Sequence, residues 1–328
     1  MNQDIFVVIE HVRGQVADIS YVALAQAQAL VKETGGKIIA LLLGSDASGI
    51  SWNSFAIQAR NLAADSAWTF DHVALGEFTS EAYGKTLAGV IKEKPPRAVL
   101  LGDTTVGAEL AGLLSARLGL PLITSCMNIA GGTYTCKICG GKMMVSGDLP
   151  METVLVAMIP GGFKVEQGKS DKAPEVTNLP VRDLGGLKVA FKQYIEPEAG
   201  DVDIATQKVL VGVGRGIERQ DNMELAKELA EALGGAVCAS RPVVDQGWLP
   251  TTRLVGKSGK TIKPKLYIAL GISGAPEHTE AVTGSEMIIA VNKDPAAPIF
   301  EMAKYGAEVD MLDLMPALSE AIRKVKGG

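Results

Sequence analysis

VLVGVGRG runs from Val209 to Gly216, an apolar run that ends in Gly-Arg-Gly. After it come ASRPVVDQGWLP, Ala239 to Pro250, then VGKSGKTIKPKLYIALGISGAPEH, Val255 to His278, then AVNKDPAAPIF, Ala290 to Phe300. Three apolar runs here lead into turns rich in Gly and Ser. An open α/β sheet presents a nucleotide in this way, at the carboxyl ends of its strands. Backbone N–H groups in such turns, and at the helix starts after them, favour phosphate oxygens. The residues alone therefore indicate a phosphate-bearing ligand held in a cleft.

Around these turns the pattern is that of a parallel sheet. KVLVGVG, Lys208 to Gly214, reads as a strand, as do AVCASR, Ala236 to Arg241, LYIALG, Leu266 to Gly271, and MIIAVN, Met287 to Asn292. NMELAKELAEALGG places Leu225, Leu229, Ala232 and Leu233 on one helical face, and Gly234-Gly235 ends that helix. MPALSEAIRKVK, Met315 to Lys326, reads as a closing helix with cations near its C-terminus, where they favour the dipole.

Upstream, strands and helices alternate again. IFVVI, 5–9, and KIIALLLG, Lys37 to Gly44, are apolar strands, the second apolar enough to be covered on both faces. DISYVALAQAQALVKE, 18–33, has apolar residues at helical spacing; Asp18 is a candidate cap and Gly35-Gly36 a stop. Helices around 80–93 and 105–118 flank a strand at 97–102. The alternation predicts an α/β layer. After Pro121, Gly pairs and short β-rich segments predict antiparallel strands added at the sheet edge. KSDKAPEVTNLPVRDL reads as a surface loop, and GLKVAFKQYI, Gly186 to Ile195, as a last strand or crossing segment.

EPEAGDVD, Glu196 to Asp203, is acidic and contains Pro and Gly, which suits a linker on which the second domain could swivel. The expected organisation is a mostly parallel α/β domain at 1–195 with added antiparallel strands, a linker at 196–203, and a doubly wound parallel sheet at 204–328. A chain of 328 residues suits two domains. Its net charge of −5 argues against nucleic acid as a partner. No apolar run is long enough to span a bilayer, and MNQDIFVVIEH lacks the basic flank of a targeting peptide, so membrane insertion is not expected and a cytoplasmic protein is. Cys136 and Cys139 form a CxxC without a second ligand pair, which reads as two thiols at a hairpin corner. His11 and His72 are isolated, and neither is read as a ligand.

In order and spacing, the blocks GRG, ASR with VDxGW, VGxSGK, PKLYIALGISGA with His278, and NKDPxAPIF resemble the FAD-binding domain of the electron transfer flavoprotein α subunit. Five blocks over about a hundred residues are far more specific than one glycine motif. The resemblance implies an FAD in the second domain and a first domain that supports a β subunit in a heterodimer.

It also implies site residues. Arg241, beside Ser240, is the cation over the flavin ring; an ion pair with Asp245 is the competing role. Arg215 is an FAD contact. Ser258 stands where the family usually has Thr, with a hydroxyl for flavin N5, in a turn with Val255, Gly256 and Lys257. His278 is the donor to flavin O2, after a cofactor-lining run of Ser273, Gly274, Ala275, Pro276 and Glu277. Asn292, Asp310 and Met311 match positions near the ribityl and adenosine portions. Lys257 and Glu277 each replace a family Gln, so a compensating ion pair between them is expected.

The function implied is electron carriage between flavin dehydrogenases and a downstream acceptor such as a quinone reductase. The protein would tune and position the flavin, without a catalytic triad or acid–base pair of its own. Two alternatives stand beside it: an electron-bifurcating complex with a second FAD in the β subunit, and a nucleotide-binding regulatory module without redox work.

Overall fold

This computed structural model describes residues 2–12, 14–45, 59–139, 143–182, 184–194 and 201–326. Most of the expected linker therefore lies outside the described residues. The chain divides into two compact units, Met1–Gln193 and Tyr194–Gly328.

The first unit is built on a nine-stranded sheet. Its strands are β1 (Ile5–Val8), β2 (Ile38–Gly44), β3 (Ser66–Asp71), β4 (Ala98–Gly102), β5 (Leu122–Ala130), β6 (Thr133–Ile138), β7 (Met143–Asp148), β8 (Val154–Met158) and β9 (Glu175–Leu179). They lie in the order β9-β3-β2-β1-β4-β8-β5-β6-β7. Only β5/β6 and β6/β7 pair antiparallel. The helices are α1 (Asp18–Thr34), α2 (Ser80–Glu93) and α3 (Thr105–Leu118).

Alternation along the strands feeds two cores. Ile5, Val7, Ala40 and Leu42 pack with Leu24 and Leu30 of α1. Phe6, Val8, Leu41 and Leu43 face the other way, toward Leu87 of α2 and Leu110 and Leu114 of α3. Each wholly buried Leu contributes about 2 kcal/mol, which is why these strands carry no polar face. Asp18 does not cap α1: Ala17 holds the cap position without a side-chain bond, and Asp18 stands in the first turn, where its charge favours the dipole.

Three expectations are corrected here. β8 is not an added edge strand: Val154 pairs with Ala98 and Leu155 with Leu122, both parallel, inside the sheet. All five of its residues are buried, which an edge position does not allow. Glu175–Leu179, expected as loop, is the opposite edge strand, parallel to β3. Residues 186–194 form no strand; the amides of Lys188 and Val189 donate to the Glu81 carboxylate instead of to a ladder.

The order in which successive strands are added reverses between β1 and β4, which run parallel, the place where such sheets open a crevice. Here the protein fills it. Thr104 Oγ1 donates to Glu10 Oε2 at 2.6 Å and accepts from the Gly107 amide at the start of α3. His11 Nε2 lies 2.7 Å from the Leu43 carbonyl, and His72 Nδ1 accepts from the Ala74 amide. Both histidines thus serve local structure. Cys136 faces Cys126 across β5/β6, while Cys139 is exposed in the turn at φ 52°, so the two thiols of the CxxC part company. Burial pushes the Cys126 thiol up to about 12.

The second unit is a five-stranded, wholly parallel sheet. Its elements are β10 (Val209–Val213), α4 (Met223–Leu233), β11 (Ala236–Ala239), α5 (Arg241–Asp245), β12 (Leu266–Leu270), α6 (Pro276–Thr279), β13 (Ile288–Asn292), β14 (Tyr305–Glu308) and α7 (Met311–Lys326). The order is β11-β10-β12-β13-β14, with the reversal between β10 and β12. The closing helix starts earlier than expected, at Met311, because Asp310 Oδ1 accepts from the Leu312 amide at 2.8 Å. Asp201 and Asp203 are tied into this unit. Arg253 Nε lies 2.6 Å from Asp201 and Lys260 Nζ 2.6 Å from Asp203. Among the described residues no helix is long and apolar enough to cross a membrane.

Candidate functional site

The second unit keeps its crevice open. β10 ends in Gly214-Arg215-Gly216, and β12 ends in Gly271-Ile272-Ser273-Gly274. The two turns touch: a Cβ on Gly214 would meet the Gly271 carbonyl oxygen at 2.2 Å, and one on Gly216 would meet Gly271 Cα at 2.8 Å. Only glycines let the backbones approach so closely. Arg215 stands between them with its side chain exposed. Met311 is buried, and its sulfur would lie 3.3 Å from a Cβ on Gly216; it supports the floor of the crevice from the core side.

Around the turn after β12, Gly274 has φ 89°, and a Cβ there would stand 2.3 Å from the Ile299 amide. Ser273 and Ala275 are exposed, and Pro276 opens α6 at its first position, followed by exposed Glu277. The N–H groups of Ser273, Gly274 and Ala275 donate to nothing among the described residues. Three such amides in one turn at a strand reversal are what a pyrophosphate requires.

The turn 254–259 is held on both sides. The Val255 amide donates to the Ala239 carbonyl at 2.9 Å, and the Lys257 amide donates to the Glu277 carbonyl at 2.7 Å. Gly256, at φ 148°, passes 3.1 Å from that carbonyl oxygen when a Cβ is placed on it. The side chains of Lys257 and Glu277 form no ion pair, so the expected compensating pair is corrected: main chain joins these turns, not charge.

Ser258 and Arg241 meet here. Arg241 Nη2 donates to Ser258 Oγ at 2.5 Å, and Nη1 lies 3.4 Å from Asp245 Oδ1. The Asp245 pair is long and half exposed, so it contributes little. Ser240 is buried at the start of α5, and its amide donates to the Val213 carbonyl at 3.0 Å. Its place fixes the origin of Arg241; its hydroxyl faces β10.

His278 is buried on α6, with Nε2 at 2.7 Å from the Tyr267 hydroxyl and Nδ1 at 3.2 Å from the Val255 carbonyl. Burial drives its pKa down to about 4, against the smaller upward pull of the Val255 bond. Asn292, at the end of β13, donates to the Ile272 carbonyl at 3.0 Å and accepts from the Asp294 amide at 3.0 Å. Asp310 pairs with Lys293 at 2.7 Å; that bond, then the Leu312 amide, hold its carboxyl below the usual range.

All of these predicted positions therefore lie along one carboxyl edge of the sheet. Arg215, Arg241, Ser258 and the 273–278 turn surround the reversal; Asn292, Asp310 and Met311 lie toward β13 and β14. Two partners escaped the sequence reading. Tyr267 is the only polar side chain in β12, and Gly212 interrupts a β-branched run; a Tyr and a Gly in neighbouring buried strands were the available signal. Lys293 was the other omission, hidden inside the NKDP block. The donor set fits a flavin dinucleotide: exposed amides for phosphates, and a cation and a hydroxyl at the adjoining turn.

Residues 203–283 match the family described as the electron transfer flavoprotein FAD-binding domain, and residues 5–184 match the electron transfer flavoprotein domain. The chain is 31% identical to the acryloyl-CoA reductase electron transfer subunit beta of Anaerotignum propionicum, covering 99% of this chain and 96% of that one. It is 31% identical to protein FixB of Azotobacter vinelandii, over 97% and 91% of the two chains. It is 32% identical to the electron transfer flavoprotein subunit alpha of Thermoanaerobacterium thermosaccharolyticum, over 99% of both.

Proposed function

The chain belongs to the electron transfer flavoprotein α-subunit family, with an FAD-binding second domain, and on that premise we propose that it carries electrons between flavin dehydrogenases and a downstream acceptor as one half of an αβ heterodimer. The observation that carries the reading is the open, glycine-lined reversal of the second sheet, with three unpartnered amides on one wall and the Arg241–Ser258 pair on the other. FAD, when bound, supplies the one- and two-electron chemistry.

The rest falls to the chain. Amides of Ser273 to Ala275 would hold the pyrophosphate. Arg241 keeps a permanent positive charge at the ring position, which favours a negatively charged reduced flavin. Ser258 is oriented by Arg241, so its hydroxyl is presented rather than free to rotate. Asn292 and the Asp310–Lys293 pair would line the sugar end.

The test is co-expression with an electron transfer flavoprotein β subunit from the same source and a flavin count. A yellow heterodimer with one FAD supports the reading. Two FAD per heterodimer would move it to the bifurcating form, and a colourless protein that binds AMP or NAD would leave a regulatory nucleotide module.

A further inference from the structure

Tyr267 is fully buried in β12, and its hydroxyl meets Nε2 of His278 at 2.7 Å. The second nitrogen of that ring, Nδ1, faces the Val255 carbonyl at 3.2 Å. A carbonyl only accepts, so Nδ1 carries the proton. In the neutral ring Nε2 is then an acceptor, and the Tyr267 hydroxyl is the donor that reaches it. The neighbouring strand makes room for this. A Cβ on Gly212 would stand 2.1 Å from the Tyr267 oxygen, so the phenol passes through a gap that only glycine leaves. The strand residue and the helix residue are therefore set against each other by backbone, not by chance rotamers.

We propose that Tyr267 is a positioning residue of the cofactor site: the Val255 carbonyl sets His278 in the Nδ1–H form, and the Tyr267 hydroxyl, donating to Nε2, holds the ring so that its donor lies on the side of the Val255–Ser258 turn. This rests on the reading of the crevice as the FAD site. The Val255 contact is at the long limit for an N–H···O bond, so Nδ1–H is the donor that can be shared with a flavin carbonyl oxygen. Without the Tyr267 hydroxyl, Nε2 loses the one partner it has among the described residues, and the ring is held from one side only.

The chain has three histidines, which makes nitrogen-15 NMR of the ring nitrogens tractable. In flavin-free protein, with only this chain labelled and its partner subunit present, His278 is expected to show a protonated Nδ1 and a hydrogen-bonded, unprotonated Nε2. Tyr267→Phe is expected to move Nε2 to the position of an acceptor without a donor. FAD affinity should fall about tenfold in Tyr267→Phe, the effect of one hydrogen bond. That loss should vanish in a His278→Ala background, because Tyr267 acts through His278. A proton on Nε2 in the wild type overturns the proposal, as does an equal loss in both backgrounds. If Tyr267→Phe fails to fold, the wild-type spectrum still decides. If the wild-type complex binds no FAD, the reading of the crevice fails instead, and the spectrum tests the tautomer separately.

Discussion

The amide of Lys257 donates to the carbonyl of Glu277 at 2.7 Å, while both side chains are exposed and no ion pair joins them. Two turns of the proposed FAD site are thus fastened by a bond that side-chain substitution leaves intact. Lys257→Gln should lower the flavin potential and Glu277→Gln should raise it, each through its own field. Their effects on FAD affinity should add, with a coupling below about 0.5 kcal/mol. A calorimetric double-mutant cycle giving a larger coupling would restore the ion-pair picture.

Arg241→Ala removes the cation and the donor that orients Ser258. The first reduction potential should fall, and FAD binding should weaken by about 1 kcal/mol, a modest value because the guanidinium is half exposed. Arg241→Lys should recover the charge but not the fork that reaches both Ser258 and Asp245. An unchanged potential in a redox titration of Arg241→Ala would remove it from the flavin site.

Gly274→Ala places a Cβ 2.3 Å from the Ile299 amide at a residue with φ 89°. Strain and collision together should cost about 2 kcal/mol of stability and displace the unpartnered amides beside it. Thermal denaturation and FAD titration should both respond; Ser273→Ala, which keeps the main chain, should affect neither by much.

Asp201 and Arg253 are each 15% exposed, and Arg253 also donates to the Val237 carbonyl at 2.8 Å. Arg253, ahead of Thr252 in effect, holds the Asp201 carboxyl below its usual range. Asp201→Asn leaves a mostly buried guanidinium short of its counter-ion and should cost about 2 kcal/mol. The loss should show in urea denaturation, and FAD should bind less tightly, since Arg253 and Lys260 bracket the 254–259 turn. A variant as stable as the wild type would show that this pair does not anchor the turn.

His278 gives the second domain a pH dependence of known sign. Its pKa falls from 6.5 to about 4 on folding. Between these values the unfolded chain takes up a proton that the folded chain refuses, so stability is complete above 6.5 and is lost as pH falls toward 4. From pH 7 to 5 this amounts to about 2 kcal/mol. The stability difference between wild type and His278→Gln should shrink by that amount in flavin-free protein; a constant difference would mean that the ring stays wet.

How much of this could be seen in the sequence depended on how each element is buried. β10, β12 and β13 are short apolar runs of mostly buried residues, the first two ending at a glycine, and they were legible. β8 is just as apolar, but nothing in VLVAM says that it enters the sheet between β4 and β5. β9 was missed because its residues are exposed or half-exposed, with no alternation to read. At the site, motif positions such as Arg241, Ser258 and His278 were legible because the blocks are contiguous. What Tyr267 touches was not, since its partner lies on another element.

β8 joins the two halves of the first sheet late in its sequence. Its register partners Ala98 and Leu122 both precede it, and the β5–β6–β7 meander lies between β4 and β8 in the chain. A ribosome releases this domain from its N-terminus, so β4 and the meander emerge with two facing edges and no strand to join them. Those edges are unsaturated until Val154 to Met158 arrive, and unpaired edges attract other chains. Synthesis of this domain therefore has a vulnerable interval with a defined end, and a stalled chain that stops before Val154 should aggregate where one that extends past Met158 does not.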